Sequence, residues 1–303
     1  MLHALCSMPG LCWDEWAVNS HHRVLEKMRS VRNELEAYGL TPRKRWGQHF
    51  LVDRNILGKV LRAAEVGPQD VVLEVGPGLG EMTLALAHEA RKVMAVEIDK
   101  KLVEVLRKKV SGCPSVEVIQ GDILKLDFLP LFGGEKGSIK VVANLPYQIS
   151  TPVLFRFIDS RQIFSSLTLM VQREVAERLI ASPGSKEYGP LSIVVQVLAD
   201  VLICFHVKPS AFFPSPKVDS SVIQITWKEK ALIAPRDEGW LREVVRGALG
   251  YRRKTLMNAL KHSSLVLPPD LEGRLAEIRI DPRRRPETLT PDEFIRLASV
   301  LKS

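Results

Sequence analysis

The chain has 303 residues, 46% hydrophobic and 26% charged, a composition that excludes a disordered or collagenous protein and leaves room for one large domain and a small one. Its 43 Lys and Arg against 35 Asp and Glu give a net charge of +8, which favours a polyanionic partner, RNA or DNA before a membrane surface. Cys6, Cys12, Cys113 and Cys204 form no C-x-x-C pair and have no His at ligand spacing, so no zinc site or disulfide framework is expected, and a reducing, cytoplasmic setting fits.

The start, "MLHALCSMPGLCWDEW", lacks a basic n-region and carries Asp14 and Glu15 where a cleavage site would fall, so it does not read as a signal peptide. No apolar run in the chain is long enough to span a bilayer. Residues 1–28 show no clean periodicity; residues 1–37 are expected to form a loosely ordered extension, with Met28 a candidate natural start. The basic run "TPRKRWGQHFL" (41–51) leads into an amphipathic helix over 55–65. Strands and helices then alternate: strands at 70–76, 92–99, 115–120, 139–145 and 166–172, helices at 80–90, 100–110, 151–159 and 173–181. Such alternation predicts an α/β fold, a mostly parallel sheet covered on both faces. A helix near 190–199 precedes two late strands, 201–207 and 220–227, which suit an antiparallel pair at one edge. Composition changes near Trp227. Apolar residues recur at helical spacing in 240–250, 254–260, 270–278 and 291–301, so the expected domains are 38–227 and a small all-α domain, 228–303.

Four strand ends carry the chemistry. "EVGPGLGEMT" (74–83) follows the first strand and opens a helix, and Gly76, Gly78 and Gly80 permit a tight turn and close approach to a ligand. A dinucleotide site wants G-x-G-x-x-G, whereas the spacing here is G-x-G-x-G, with Glu81 next and Glu74 just before. Two carboxylates repel a pyrophosphate and suit a cationic ligand such as S-adenosylmethionine. Alone, the loop also fits a ligand-free turn. Glu97, ending the next strand, is placed to hold two ribose hydroxyls, or is simply an exposed acid. Asp122 in "QGDIL" suits an adenine amino group, or is a turn Asp after Gly121. "NLPY" (144–147) ends the fourth strand. An exocyclic base amine is a poor nucleophile because its lone pair is delocalised into the ring. The Asn144 side-chain oxygen and the Leu145 carbonyl supply two acceptors for its hydrogens, Pro146 stiffens the turn, and Tyr147 offers a stacking face. A plain turn with a packed Tyr fits these four residues equally well.

Taken together, "RKRWGQHFL" (43–51), "EVGPGLGEMT", "VEID", "GDIL", "NLPY" and "FFPSPKVDSSV" (212–222) resemble the rRNA adenine N6,N6-dimethyltransferases over about residues 38–300. "GQHF" and the "KVDS" of 217–220 lean toward the bacterial small-subunit branch, which modifies two adjacent adenosines near the 3′ end of 16S rRNA. The resemblance implies a Rossmann-like, seven-stranded, S-adenosylmethionine-dependent methyltransferase domain with a helical C-terminal domain. It implies that Gln48, His49, Leu51, Gly76, Glu97, Asp122 and Asn144 line the cofactor pocket, that Asn144, Leu145, Pro146 and Tyr147 hold the target adenine, and that Phe213 is a second aromatic near it. The implied partner is 16S rRNA in the small subunit or its precursor, met by a monomer with no metal and no membrane. The alternatives are the 23S rRNA branch that confers macrolide resistance and a non-catalytic nucleic-acid-binding relative; a role in subunit assembly adds to the first reading. The basic runs Arg43–Lys44–Arg45, Arg252–Arg253–Lys254, placed at a helix start, and Arg283–Arg284–Arg285 are candidate phosphate contacts, although a charge run is commonly a solvated face.

Overall fold

The structure, a computed structural model, describes residues 31–43, 46–132, 137–229 and 232–302. The chain enters through a helical segment, 31–37 (α1). A two-residue strand, β1 (Phe50–Leu51), precedes α2 (Arg54–Ala64), whose first amides are capped by the Asp53 carboxylate at 2.8 Å from Asn55 N. Then follow β2 (Val71–Val75), α3 (Glu81–Glu89), β3 (Lys92–Glu97), α4 (Lys100–Lys109), β4 (Val116–Gln120), the short α5 (Phe128–Leu131), β5 (Ile139–Asn144), α6 (Ser150–Asp159) and β6 (Phe164–Gln172). The rest comprises α7 (Arg173–Leu179), α8 (Pro190–Leu198), β7 (Ala199–Val207), β8 (Phe212–Phe213), β9 (Ser220–Trp227) and the helices α9 (Glu238–Leu249), α10 (Leu256–His262), α11 (Leu271–Glu277) and α12 (Pro291–Leu301).

Among the described residues, seven strands form one sheet in the order β4-β3-β2-β5-β6-β9-β7. β2 is parallel to both β3 and β5, while β9 runs antiparallel between β6 and β7, as the two late strands predict. All five residues of β2 are buried, as a strand covered on both faces requires. Alternate residues feed two layers. Val71, Leu73 and Val75 face the core shared with α6, α7 and α8, whereas Val72, Val93 and Val142 face α2 and α3. Successive connections leave β2 toward β3 on one side, and the chain returns as β5 on the other. This switch point opens a crevice beyond the strand ends Val75 and Asn144.

The helices after Trp227 join the same core: Leu241, Val244, Phe294 and Leu297 pack with Ile193 and Leu198 of α8. The buried Tyr188 OH donates to Leu289 O at 2.8 Å across this contact, and within the helical region Trp240 Nε1 of α9 donates to Ala298 O of α12 at 2.8 Å. No helix among the described residues is long and apolar enough to cross a membrane.

One expectation changes. Residues 31–37, assigned from sequence to a loose extension, form a helix that buries Val31 and Leu35 against Val52, Leu79, Leu102 and Val105. The i, i+4 pair Val31 and Leu35 supplies the apolar stripe; residues 1–30 lie outside the described residues. Truncating Leu35, which is 3% exposed, to alanine is expected to cost about 2–5 kcal/mol in urea-induced unfolding. A loss well under that range would mean the helix adds little to the fold.

Candidate active site

The glycine loop is built by collision avoidance. Its entry is fixed by the Gly76 amide donating to Val96 O at 3.0 Å. Gly78 has a φ of +59°, and a Cβ there would lie 2.9 Å from the Phe50 ring. Gly80, also at positive φ, would drive a Cβ into Leu106 of α4. No other residue type fits these positions without moving a core side chain.

Four carboxylates, Glu74, Glu81, Glu97 and Asp122, line the crevice. Glu97 is 5% exposed and accepts from Asp99 N at 2.9 Å and Gly78 N at 3.3 Å. A carboxylate has about four acceptor positions, so this one can still take a pair of hydroxyls. Burial raises its pKa, and the amide donors oppose that rise. Glu74 is fully buried, and neither its oxygens nor the Thr83 hydroxyl makes a hydrogen bond of ordinary geometry within the protein. Burial pushes its pKa up to about 8; Thr83 pulls it down and the charge on Glu97 adds to the rise. Asp122 turns one oxygen to Leu124 N at 2.9 Å and lines the cavity with Glu74 and Glu97.

At the fourth strand end, the Asn144 side chain donates through Nδ2 to His49 O at 2.9 Å. A carbonyl only accepts, so this bond fixes which end of the amide is nitrogen and leaves Oδ1 as an acceptor. Leu145 N donates to Met170 O at 3.0 Å, and the turn closes from Ile149 N to Pro146 O at 3.1 Å. The Leu145 carbonyl therefore has no donor among the described residues. Tyr147 OH meets Ser220 Oγ at 2.5 Å, and its ring stacks on His49 with centroids 5.5 Å apart. Burial raises the Tyr147 pKa, so the ring stays a neutral phenol.

A strap formed by residues 46–51 closes this arrangement. Gln48 accepts from Arg43 N at 2.8 Å and donates to Asp99 Oδ2 at 3.5 Å, while the Arg43 guanidinium lies 3.6 Å from the same carboxylate. His49 Nδ1 donates to Pro214 O at 2.6 Å, and β1 pairs antiparallel with β8, Phe50 opposite Phe213. The Tyr147–Ser220 contact, the Asp99 anchor and the β1–β8 ribbon are functional features that sequence reading missed. A two-residue strand has no periodicity to detect.

The sequence matches the family described as ribosomal RNA adenine dimethylase over residues 39–302. This chain belongs to that family. It is 48% identical over 265 residues to the ribosomal RNA small subunit methyltransferase A of Geobacter metallireducens, covering 87% of this chain and 96% of that protein. A protein of the same name from Shouchella clausii is 45% identical over 274 residues, covering 89% and 93%. Among solved structures, a dimethyladenosine transferase from Plasmodium falciparum superposes with a TM-score of 0.70 at 29% identity, covering 82% of this chain and 96% of that one. The 23S rRNA methyltransferase ErmE superposes at 0.66 with 25% identity, covering 84% and 100%. The dimethylase is thus an S-adenosylmethionine-dependent rRNA adenine methyltransferase with the seven-stranded sheet of that class.

Its residues fit that cofactor. The orphaned Glu74 carboxyl, the glycine cradle and the spare acceptor capacity of Glu97 suit a ligand that carries positive charge and a pair of hydroxyls. Gln48, His49, Leu51, Gly76, Glu97, Asp122, Asn144, Leu145, Pro146 and Tyr147 all line one cavity. Phe213 is not in that lining. Its ring packs beside Phe50 and Val52, with the Arg32 guanidinium 5.4 Å from its centroid.

Lys44 and Arg45 lie outside the described residues. Arg252, Arg253 and Lys254 are not helical, contrary to the sequence reading. They sit in a turn closed by Lys254 N to Tyr251 O at 2.8 Å, and α10 begins only at Leu256. Bonds from Leu256 N to Arg284 O at 2.7 Å and Met257 N to Pro282 O at 3.1 Å bring the 283–285 run alongside. Arg283 pairs locally with Asp281 at 3.2 Å and stays exposed, whereas the Arg284 guanidinium grips Glu293 at 2.5 and 3.1 Å and so holds the loop to α12.

Glu74 generates a pH prediction. Between its ordinary value of 4.5 and about 8, the folded chain holds a proton that the unfolded chain has released. Stability of the ligand-free dimethylase should therefore fall as pH rises across that window, and Glu74→Gln should flatten the fall. Denaturant titrations at several pH values check this; a slope unchanged by the substitution would place the proton elsewhere.

Proposed function

We propose that this dimethylase converts two adjacent adenosines near the 3′ end of 16S rRNA to their N6,N6-dimethyl forms, within the small ribosomal subunit or its precursor. It would act as a cytoplasmic monomer, with a role in subunit biogenesis. The observation that carries the reading is the pair of acceptors without a donor among the described residues, Asn144 Oδ1 and the Leu145 carbonyl, at the rim of the cofactor cavity beside a stacking ring. The small-subunit target is supported by relatives of that name matched along 93–96% of their own length. ErmE, a 23S enzyme, shares the fold at lower identity, 25%.

S-adenosylmethionine, when bound, supplies an electrophilic methyl group on a sulfonium. The protein's part is to make the amine a nucleophile. Two acceptors aimed at its hydrogens draw the nitrogen lone pair out of conjugation, and they interact more strongly as positive charge grows there. Pro146 holds the Leu145 carbonyl in place. Tyr147 stacks the extruded base, its ring angle set by Ser220. The alkylated nitrogen is acidic and loses its proton without a dedicated base. The first product keeps one N–H, so the same acceptors serve the second transfer.

RNA contact is assigned to Arg43, Lys44, Arg45, Arg252, Arg253, Lys254, Arg283 and Arg285, with Arg284 as a structural tie. Residues 38–227 carry the chemistry, and 228–303 add RNA-binding surface. Mapping dimethyladenosine by mass spectrometry in rRNA from cells with and without the gene tests the target. Modification confined to large-subunit RNA would replace this reading with the 23S one.

Asn144→Ala should slow single-turnover methyl transfer on small-subunit particles by about 10²–10³, with RNA affinity nearly unchanged because phosphate contacts dominate it. Wild-type transfer rates in that variant would reduce "NLPY" to a strand-end turn. Tyr147→Ala should weaken capture of the base by about 1–3 kcal/mol. Tyr147→Phe should recover much of the loss, and the part it fails to recover reports the hydroxyl's tie to Ser220.

A further inference from the structure

Tyr251 is a large aromatic side chain left 41% exposed on a surface turn between α9 and α10. Its surroundings hold the ring rather than hide it. The His262 ring packs at 5.6 Å, tilted by 56°, and Lys254 Nζ lies 5.9 Å from the Tyr251 centroid while also meeting His262 Nε2 at 2.8 Å. The ring borders an open groove between α9 and the 263–269 loop, whose outer wall carries Val266, 85% exposed. That wall is seated on α9: a Cβ on Gly247 would come within 2.8 Å of Leu265. Arg246, Arg274, Lys302 and Glu243 line the groove, and exposed Arg253 follows Tyr251 by two residues in the same turn. The bond from Leu256 N to Arg284 O ties the 283–285 run to the start of α10, next to the turn that carries Tyr251; Arg283 there also pairs with Asp281 at 3.2 Å, and Arg285 is exposed. Two basic runs distant in sequence thus meet at the turn before α10, and that turn presents the exposed ring to the groove.

We propose that this groove is a second base-binding site, taking an unpaired nucleotide of the RNA substrate, stacked on Tyr251 with its flanking phosphates on Arg253 and Arg285. The proposal rests on the reading of 228–303 as RNA-binding. Charge complementarity selects a polyanion. The ring and the apolar wall select one whose bases are splayed out, because a duplex keeps its bases stacked inside. This site is separate from the adenine site at Tyr147, which lies in the cofactor cavity.

The test titrates the full-length chain with a fluorescein-labelled, mixed-sequence single-stranded oligoribonucleotide and with a blunt RNA duplex, across a salt series. Tyr251→Ala should weaken the single strand about 5- to 150-fold, leave the duplex unchanged, and keep the slope of log affinity on log salt. Tyr251→Phe should bind like the wild type. Arg253→Gln should flatten the slope by about 0.7. If Arg253→Gln flattens the slope but Tyr251→Ala binds the single strand normally, or weakens both ligands equally, the base site is wrong while the RNA-binding reading stands. If Arg253→Gln leaves the slope untouched, the RNA-binding reading of this region fails, and the base site with it.

Discussion

One hydrogen bond, from Asn144 Nδ2 to the His49 carbonyl at 2.9 Å, ties the chemistry of this dimethylase to the segment before its first large strand. A carboxamide has one donor end and one acceptor end. Unless something in the protein occupies the donor, the side chain is free to flip, and half of its orientations point hydrogens at a base that itself offers hydrogens. The His49 carbonyl removes that ambiguity. The remaining devices in the crevice keep this carbonyl where it is needed.

That dependence explains why the strap is anchored at so many points. Asp99, only 4% exposed, caps α4 through Lys101 N and also meets Gln48 and Arg43. Its own amide is held by Glu97, the acid assigned to the cofactor hydroxyls. Glu97, proposed to hold the cofactor, the strap anchor Asp99 and the Asn144 amide, proposed to act on the base, are therefore links of one network. Partly satisfied buried polar networks are costly, and this one keeps its unsatisfied members, Glu74 and the spare positions of Glu97, facing the cavity that a cationic ligand fills.

Much of the scaffold was legible because its elements are long enough to show a period. "VVLEV" and "IKVVAN" are mostly apolar, β-branched stretches, and the parallel strands β2 and β5 bury their apolar residues. The four strand-end motifs converge because the switch point of a doubly wound sheet gathers strand ends into one crevice. What escaped was short or non-local. The β1–β8 ribbon spans two residues per strand, and the seven described residues of α1 bury only Val31 and Leu35. Arg284 and Arg253 look alike in a basic run, yet Glu293, nine residues on, makes one a tie and leaves the other exposed. The packing of Phe213, opposite Phe50 and beside Val52 and Leu79, is likewise set by partners far away in the chain.

The central claim is that the strap acts on catalysis through Asn144. A double-mutant cycle tests it most directly: single-turnover methyl transfer at saturating S-adenosylmethionine for wild type, Gln48→Ala, Asn144→Ala and the pair. If Gln48 matters because it holds the strap that orients the amide, removing it from the Asn144→Ala protein should cost nothing further, and the double variant should match Asn144→Ala alone. If the two losses instead multiply, the strap and the amide act independently, and the coupling described here is contradicted.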